Sequence, residues 1–286
     1  MGVTSASPYL LPEGNVSIAF SGGRSSAYML HEILEANGGL PDRAIVSFQN
    51  TGREMPETLD FVQECAQRWN VHVVWLEWRD INTHEKRWEI VSHNSASRNG
   101  EPFAELIRKR RMLPNRVARF CTAELKVHTA IRYCRSLGWN GWHNARGLRA
   151  DEQSRLNGAP PRERWKPWHP LADAMVAKRD VQSFWEKQPF DLRLMNVNGK
   201  TPHGNCDGCF LKSEANLAAL ARDYPERAQW WADQEAALAA QIGKSSGAWF
   251  NQRRPAQTVI DMVRDKGPGL FSDKEFLCQA TDGECF

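Results

Sequence analysis

The feature that most limits how this chain can fold is an alternation in its first half, where short β-branched or apolar runs are separated by stretches with helical spacing. Asn15-Val16-Ser17-Ile18-Ala19-Phe20 stops at Ser21-Gly22-Gly23. From Ser25 the period changes: Tyr28, Met29, Ile33 and Leu34 fall close to i, i+4, i+5, and Asn37-Gly38-Gly39 closes the helix. Ala44-Ile45-Val46-Ser47-Phe48 is the next strand, and the Asn50-Thr51-Gly52 turn follows it. Pro56 then opens a helix with Leu59, Val62 and Ala66 on one face. Val71–Leu76 reads as a third strand and Thr122–Ser136 as a further helix. That helix leads to a fourth strand at Gly141–Ala145. Strands separated by helices imply crossovers and a parallel sheet. The expectation is therefore an α/β fold with a doubly wound parallel sheet over residues 1–190. A second part, 191–286, is expected to hold a cysteine-containing loop, a helical extension over 213–266 and a C-terminal tail.

Composition narrows the class. The 286 residues carry 37 Lys and Arg against 34 Asp and Glu, with 41% hydrophobic and 25% charged residues. That balance excludes a disordered or fibrous chain. No apolar run approaches the roughly 20 residues of a membrane span, and the first residues lack the pattern of a secretory signal. Seven cysteines, an odd count, fit a reducing cytoplasm better than a disulfide framework. The tryptophans beside charged or Pro-rich sequence, Trp165, Trp168, Trp230 and Trp231, are expected to be half-buried amphipathic packing.

The turn Ser21-Gly22-Gly23-Arg24-Ser25-Ser26 lies where the first strand gives way to its helix, at the carboxyl edge where ligands bind in a parallel sheet. Two glycines allow close backbone approach, and the following helix offers N–H groups and a positive dipole end to an anion. The spacing is neither GxGxxG nor GxxxxGK[ST]. A bland reading, a tight turn with a serine cap, stays open.

In this context the turn resembles the SGGxDS pyrophosphate-binding loop of the PP-loop family. Four further segments resemble that family's phosphoadenylyl-sulfate (PAPS) reductase branch, in the same order. They are Asn50–Thr58, Arg119–Val127, Gly147–Arg155, and Pro170–Asp173 followed by Asp180–Phe184. The resemblance implies nucleotide binding by Ser21, Gly22, Gly23, Arg24, Ser25, Ser26, Thr51, Gly52, Glu54, Arg149 and Arg155. It implies that Arg24, Lys126, Arg149 and Cys285 take part in catalysis, on ATP or an adenylyl-sulfate-type nucleotide with Mg²⁺. One departure stands out: Arg24-Ser25 replaces the family's lysine or glutamate and its metal-binding aspartate. Serine offers no carboxylate to Mg²⁺, so Asp173, Glu54 or Glu57 would have to substitute.

Cys206-Asp207-Gly208-Cys209 is a CxxC motif. Its spacing suits a metal or cluster edge, structural zinc or a redox dithiol. The resemblance implies a 4Fe–4S cluster on Cys121, Cys206 and Cys209, completed by Cys285 or Cys278 or left with an open iron site. Glu284-Cys285 also matches the start of the reductases' E-C-G-x-H tail, which makes Cys285 a rival nucleophile. Cys65 and Cys134 read as core residues. The run Arg108, Lys109, Arg110, Arg111, Arg116 and Arg119 reads first as a solvated face, then as a phosphate gate or nucleic-acid track.

Three functions follow in order. The first is an ATP pyrophosphatase-type enzyme coupling adenylation to sulfur transfer from a sulfur donor. The second is a thiol-dependent sulfonucleotide reductase served by a thioredoxin-like reductant. The third is a DNA or tRNA modification protein. A homo-oligomer with no membrane partner is expected.

Overall fold

The first apolar run becomes β1 (Val16–Ala19), its Val16 and Ile18 fully buried. A computed structural model describes residues 7–81, 83–157, 164–197, 199–243, 249–250 and 254–266 of the chain. After β1 the chain turns into α1 (Arg24–Asn37), which Gly38 ends in the left-handed conformation. Then come β2 (Ala44–Asn50), α2 (Pro56–Arg68), whose Pro sits in the first turn, and β3 (Val73–Glu77), buried along its whole length. A short β4 (Glu89–Val91) folds back antiparallel on β3. The chain next forms α3 (Glu101–Arg110), a π-helix (Thr122–His128) and α4 (Thr129–Ser136), and re-enters the sheet as β5 (Trp142–Ala145). After α5 (Gln153–Leu156), β6 (Trp165–Trp168) completes it, followed by α6 (Pro170–Asp173) and α7 (Lys178–Trp185).

The sheet order is β4-β3-β2-β1-β5-β6, and every neighbouring pair except β3 and β4 is parallel. The α/β expectation is borne out. Strands β2 to β4 run outward from one side of β1, and β5 and β6 lie on its other side. The order therefore reverses between β1 and β5, and a crevice at such a reversal is where open α/β sheets bind ligands.

One buried cluster packs α1 and α2 on the sheet through Leu30, Ile33, Leu59 and Val62, with Trp185, Phe190, Leu192 and Leu194 closing it. Each large apolar side chain so buried stabilises the fold by about 1.5–3 kcal/mol. A second cluster joins α3 to the helices α8 (Glu214–Asp223), α9 (Pro225–Ile242) and α10 (Ala256–Lys266). Ser213 caps α8, accepting the Asn216 N–H at 3.2 Å. Phe103, Leu106 and Ile107 of α3 pack there against Leu220, Trp231 and Leu238.

Candidate functional site

The turn after β1 is held open by its own serines. Ser26 Oγ accepts the Ser21 N–H at 3.2 Å and donates to the Gly23 carbonyl at 2.9 Å, while Ser21 Oγ lies 3.0 Å from it. Gly22 has φ +78, and a Cβ there would stand 2.6 Å from Thr58 Cγ2. Only glycine satisfies both the backbone angle and the space. Gly23 caps α1 without a side chain, so the first N–H groups of a 14-residue helix face the crevice.

Across the reversal, the segment leaving β5 presses on this turn. A Cβ on Gly147 would lie 2.9 Å from Ser26 Cα. That close approach lets Arg149 reach over: its Nη1 donates to Ser25 Oγ at 3.0 Å, and its Nε donates to Asp151 Oδ1 at 2.9 Å. Glu152, fully buried, accepts the Arg149 N–H at 3.0 Å and binds Arg155 through its other oxygen. Arg149 is thus held beside the helix N-terminus by Ser25 and Asp151, with its Nη1 3.4 Å from Glu152 Oε2.

The far wall is segment 191–205. Arg24 fastens it: Nε and Nη2 donate to the two Asp191 oxygens at 2.7 Å each, Nη1 to Thr201 Oγ1 at 2.9 Å, and Nη2 to the Leu192 carbonyl at 2.6 Å. The cleft so enclosed is lined by Gly22, Gly23, Ser25, Thr58 and Arg149 on one side. Lys178, Asn196, Lys200, Thr201, Asn205, Lys212 and Asn216 line the other. Among the described residues lining it there is no Asp or Glu. Two buried atoms in this lining, Thr58 Oγ1 and Asn216 Oδ1, have no hydrogen-bond partner within the protein. Buried polar atoms are rarely left so unless a ligand or water meets them.

Behind the wall lies a buried polar centre. Glu54 Oε2 accepts the Thr51 N–H and the Thr51 hydroxyl at 2.8 Å each. Its Oε1 stands 3.5 Å from Lys126 Nζ and 3.9 Å from Cys206 Sγ, and Thr51 Oγ1 lies 3.3 Å from the same sulfur. Lys126 comes from the π-helix, a form that recurs at functional sites. Glu124 anchors that helix. The neighbouring His128 and Arg132 hold its carboxyl down at about 2, against the opposing effect of its burial.

Asp207, between the two cysteines of the CxxC, is fully buried and ties three regions together. It accepts from Arg53 Nη2 at 2.6 Å, Arg53 Nε at 3.3 Å, Trp231 Nε1 at 2.7 Å, the Gly208 N–H at 2.7 Å, and Arg227 Nε. Arg53 also lies 4.5 Å over the Trp230 ring. His203, buried in the wall, has its imidazole pulled below its usual value by burial and by Lys212.

The structure brings Gly22, Gly23, Arg24, Ser25 and Arg149 to one cleft, and Ser21 and Ser26 brace the turn from within. Arg155 stands behind Arg149 on Glu152, and Thr51, Gly52 and Glu54 lie behind the wall. Cys121, Cys206 and Cys209 share the second buried cluster. Cys278 and Cys285 lie outside the described residues. Cys65 and Cys134 are core residues, their thiols pushed up by burial, Cys134 to about 12. The carboxylates considered as substitutes for a missing aspartate, Asp173, Glu54 and Glu57, do not line the cleft. Lys178, Lys200 and Lys212 belong to no motif singled out in the sequence. Only the polar and glycine-rich character of 196–205 hinted that this stretch faced a ligand.

Together these features define an α/β protein with a cleft lined by lysines, Arg149 and the glycine turn at the reversal of its sheet. The chain belongs to the phosphoadenosine phosphosulfate reductase domain family, whose pattern its residues 15–185 match. The resemblance drawn from the five motifs is borne out. It is 30% identical, over 213 residues, to the uncharacterized nin region protein ORF290 of Escherichia phage lambda, covering 72% of this chain and 69% of that protein. Two solved structures are more distantly similar. One is PAPS reductase from Candida auris in a phosphate complex, with a TM-score of 0.39 at 15% identity over 62% of this chain and 74% of that one. The other is the U34-tRNA thiolase NcsA from Methanococcus maripaludis with its 4Fe–4S cluster, at 0.35 and 11% over 88% and 81%.

The donor set for a metal group can be tested directly. Among the described residues no group of three His, Cys, Asp or Glu side chains is arranged to hold a metal ion. The residues expected to complete an iron–sulfur set with Cys121, Cys206 and Cys209, Cys278 or Cys285, lie outside the described residues, and the described cleft lining offers Mg²⁺ no carboxylate. No helix among the described residues is long and apolar enough to cross a membrane.

Proposed function

We propose that this chain is a sulfonucleotide reductase: it binds adenylyl sulfate or its 3′-phosphorylated form in the cleft, and thiols reduce the sulfonyl sulfur to sulfite. The observation that carries the reading is the lining itself, a helix N-terminus with Arg149, Lys178 and Lys200 and no carboxylate among the described lining residues, while Lys212 there donates to the Pro202 and Asp207 carbonyls. A nucleotide bearing phosphate and sulfate is neutralised there by N–H groups and cations. ATP cleavage through Mg²⁺ asks for a carboxylate at the phosphates, and Ser25, hydrogen-bonded to Arg149, occupies that place.

Each residue then has a task. The Gly22-Gly23 backbone and the N-terminus of α1 cradle the phosphate, and Arg149 orients the sulfate. Negative charge grows on the leaving phosphate as the S–O bond breaks, and the same donors stabilise it more strongly in the transition state. Arg24 acts as a positioning residue through Asp191 and Thr201, holding the wall rather than the substrate. The Thr58 hydroxyl and Asn216 Oδ1 meet the nucleotide's own polar groups. An external dithiol of the thioredoxin kind returns the electrons.

The test pairs two assays on one preparation. Adenylyl sulfate and PAPS are supplied with dithiothreitol or thioredoxin in EDTA, and ATP is supplied with Mg²⁺. Sulfite release in EDTA is the expected result. AMP and pyrophosphate from ATP, with no sulfite from either sulfonucleotide, would replace this reading by the adenylating one.

A further inference from the structure

We propose that the end of α3 and the loop after it form a docking surface for single-stranded nucleic acid. This surface shares no described lining residue with the cleft, so it stands whether or not the sulfonucleotide reading does. Between Glu105 and Glu124 the chain has six cations, Arg108, Lys109, Arg110, Arg111, Arg116 and Arg119, and no acidic residue. The first four are consecutive, and at 3.6 residues per turn they cover the helix end on every side. Arg108 is 66% exposed and Arg110 45%, with Arg111 and Arg116 exposed beside them. Cations in a last turn also offset the helix dipole. That accounts for Arg108, Lys109 and Arg110, but not for Arg111, Arg116 and Arg119, which lie beyond the last helical residue.

The loop is fixed in place. Leu113 and Pro114 are buried and anchor it, and Asn115 Oδ1 accepts the Val117 and Ala118 N–H groups at 2.9 Å each. The turn so formed presents Val117, 89% exposed, between Arg116 and Arg119. Arg111 has φ 51 at the end of α3, a left-handed position where glycine is the usual residue. Asp80 and Glu124 meet these cations, each shared between two. Arg108 lies 4.0 Å from Asp80, which Lys109 also holds. Arg110 and Arg132 share Glu124 at 2.8 and 3.0 Å. Arg132 is buried, yet its Nε and Nη1 have no hydrogen-bond partner within the protein, and neither has the buried Nε of Arg119. Such donors call for an acceptor from outside.

A chain of phosphates fits this arrangement better than other polyanions. Five of the six cations are arginine, whose planar fork pairs with phosphate oxygens and stacks on bases. They are strung along a helix end and a loop, as a run of phosphates is along a strand. Apolar groups are interleaved with them. Met112 and Val117 are exposed, and the half-buried Phe120 ring has the Arg110 guanidinium 5.7 Å from its centroid. Those groups offer contact to unpaired bases, which a duplex keeps stacked on one another. A membrane surface would take the apolar face of an amphipathic helix. In α3 that face, with Phe103, Leu106 and Ile107, is already packed against α8 and α9.

The test uses the full chain and the fluorescence anisotropy of labelled oligo(dT) and oligo(U) over a salt series. The expected result is binding whose log K falls with log salt, by about 0.7 for each phosphate neutralised. One variant combines Arg108→Gln, Arg111→Gly and Arg116→Gln, and leaves Lys109 on Asp80 and Arg110 on Glu124. In it the affinity falls roughly tenfold or more and the slope shrinks by about 2. Arg111→Gly alone relieves the left-handed residue, so its urea midpoint holds while its affinity falls. If the triple variant does not fold, this one decides. No binding at about 50 mM salt, affinity unchanged in Arg111→Gly and the triple variant, or equal binding of duplex DNA, polyglutamate or anionic-lipid vesicles would each overturn the proposal. Failure of sulfite release on the same preparation removes the cleft reading alone.

Discussion

Replacing Asp207 with Asn keeps the shape of the side chain and removes its charge, which isolates what that carboxylate does. In the native protein Asp207 is fully buried and faces two guanidinium groups, Arg53 and Arg227, whose side chains are 3% and 12% exposed. The variant leaves both cations in the interior without their anion and turns an NH₂ group toward guanidinium donors. Burial already pulls the Arg53 guanidinium below its usual value, with Asp207 opposing that pull and Arg227 adding to it. Breaking a buried ion pair from one side costs about 3–5 kcal/mol. With m near 2 kcal/mol/M, the urea midpoint should fall by roughly 2 M. The assay is equilibrium urea unfolding followed by tryptophan fluorescence, which Trp230 and Trp231 report locally. A midpoint shift under about 0.3 M would refute the reasoning and show that the knot is not where the C-terminal helices are held.

Three further outcomes are expected. Gly22→Ala combines a left-handed φ with a Cβ 2.6 Å from Thr58 Cγ2. It should cost about 1–2 kcal/mol for the backbone and more for the overlap, and calorimetry should show both a lower Tm and weaker nucleotide binding. Glu124 is ionised well below the usual carboxylate range, so its contribution is present above the unfolded value near pH 4.5 and lost as pH falls toward about 2. A pH series of unfolding midpoints should show a flatter slope over that window in Glu124→Gln than in the native chain. Glu54→Gln removes the buried anion that faces Lys126 Nζ at 3.5 Å and should cost about 3–5 kcal/mol, read as a lower urea midpoint. An unchanged midpoint would show that this carboxylate does not hold Lys126 in the interior.

Much of the fold was legible because its inner strands are β-branched and bounded by turns. β1, β2, β3 and β5 fall where the sequence places them, and Gly38 ends α1 as expected. The stretch between β3 and the π-helix read as irregular yet contains β4 and α3. Three residues are too few for β4 to show an alternation. In α3, by contrast, Pro102 in the first turn and Phe103, Leu106 and Ile107 on one face gave a helical signal, masked by the basic run behind them. β6 escaped notice because Lys166-Pro167 interrupts it, which an edge strand tolerates. The helix read over Thr122–Ser136 is π in its first half, a difference of one residue per turn that apolar spacing does not resolve.

The near side of the site was readable for a similar reason. Local backbone chemistry makes the Ser21–Ser26 turn, and Arg149 follows β5 at a short, fixed distance. The far wall was not. It depends on Arg24 meeting Asp191, 167 positions away, and on Lys178, Lys200 and Lys212 converging from three segments. Contacts of that range leave no periodic trace. The five contacts to Asp207 are equally invisible, since the motif C-D-G-C marks the cysteines and gives no hint that its acid is the hub.

The central claim is that the cleft holds a sulfonucleotide by N–H groups and cations without a metal. Isothermal titration of adenylyl sulfate in EDTA, with the native chain and Arg149→Met, tests it most directly. The account predicts binding in EDTA that weakens about tenfold or more in the variant, as loss of charge-assisted hydrogen bonds worth roughly 1.5–3 kcal/mol requires. Binding that appears only with Mg²⁺ and ATP, or that is indifferent to Arg149, would contradict it.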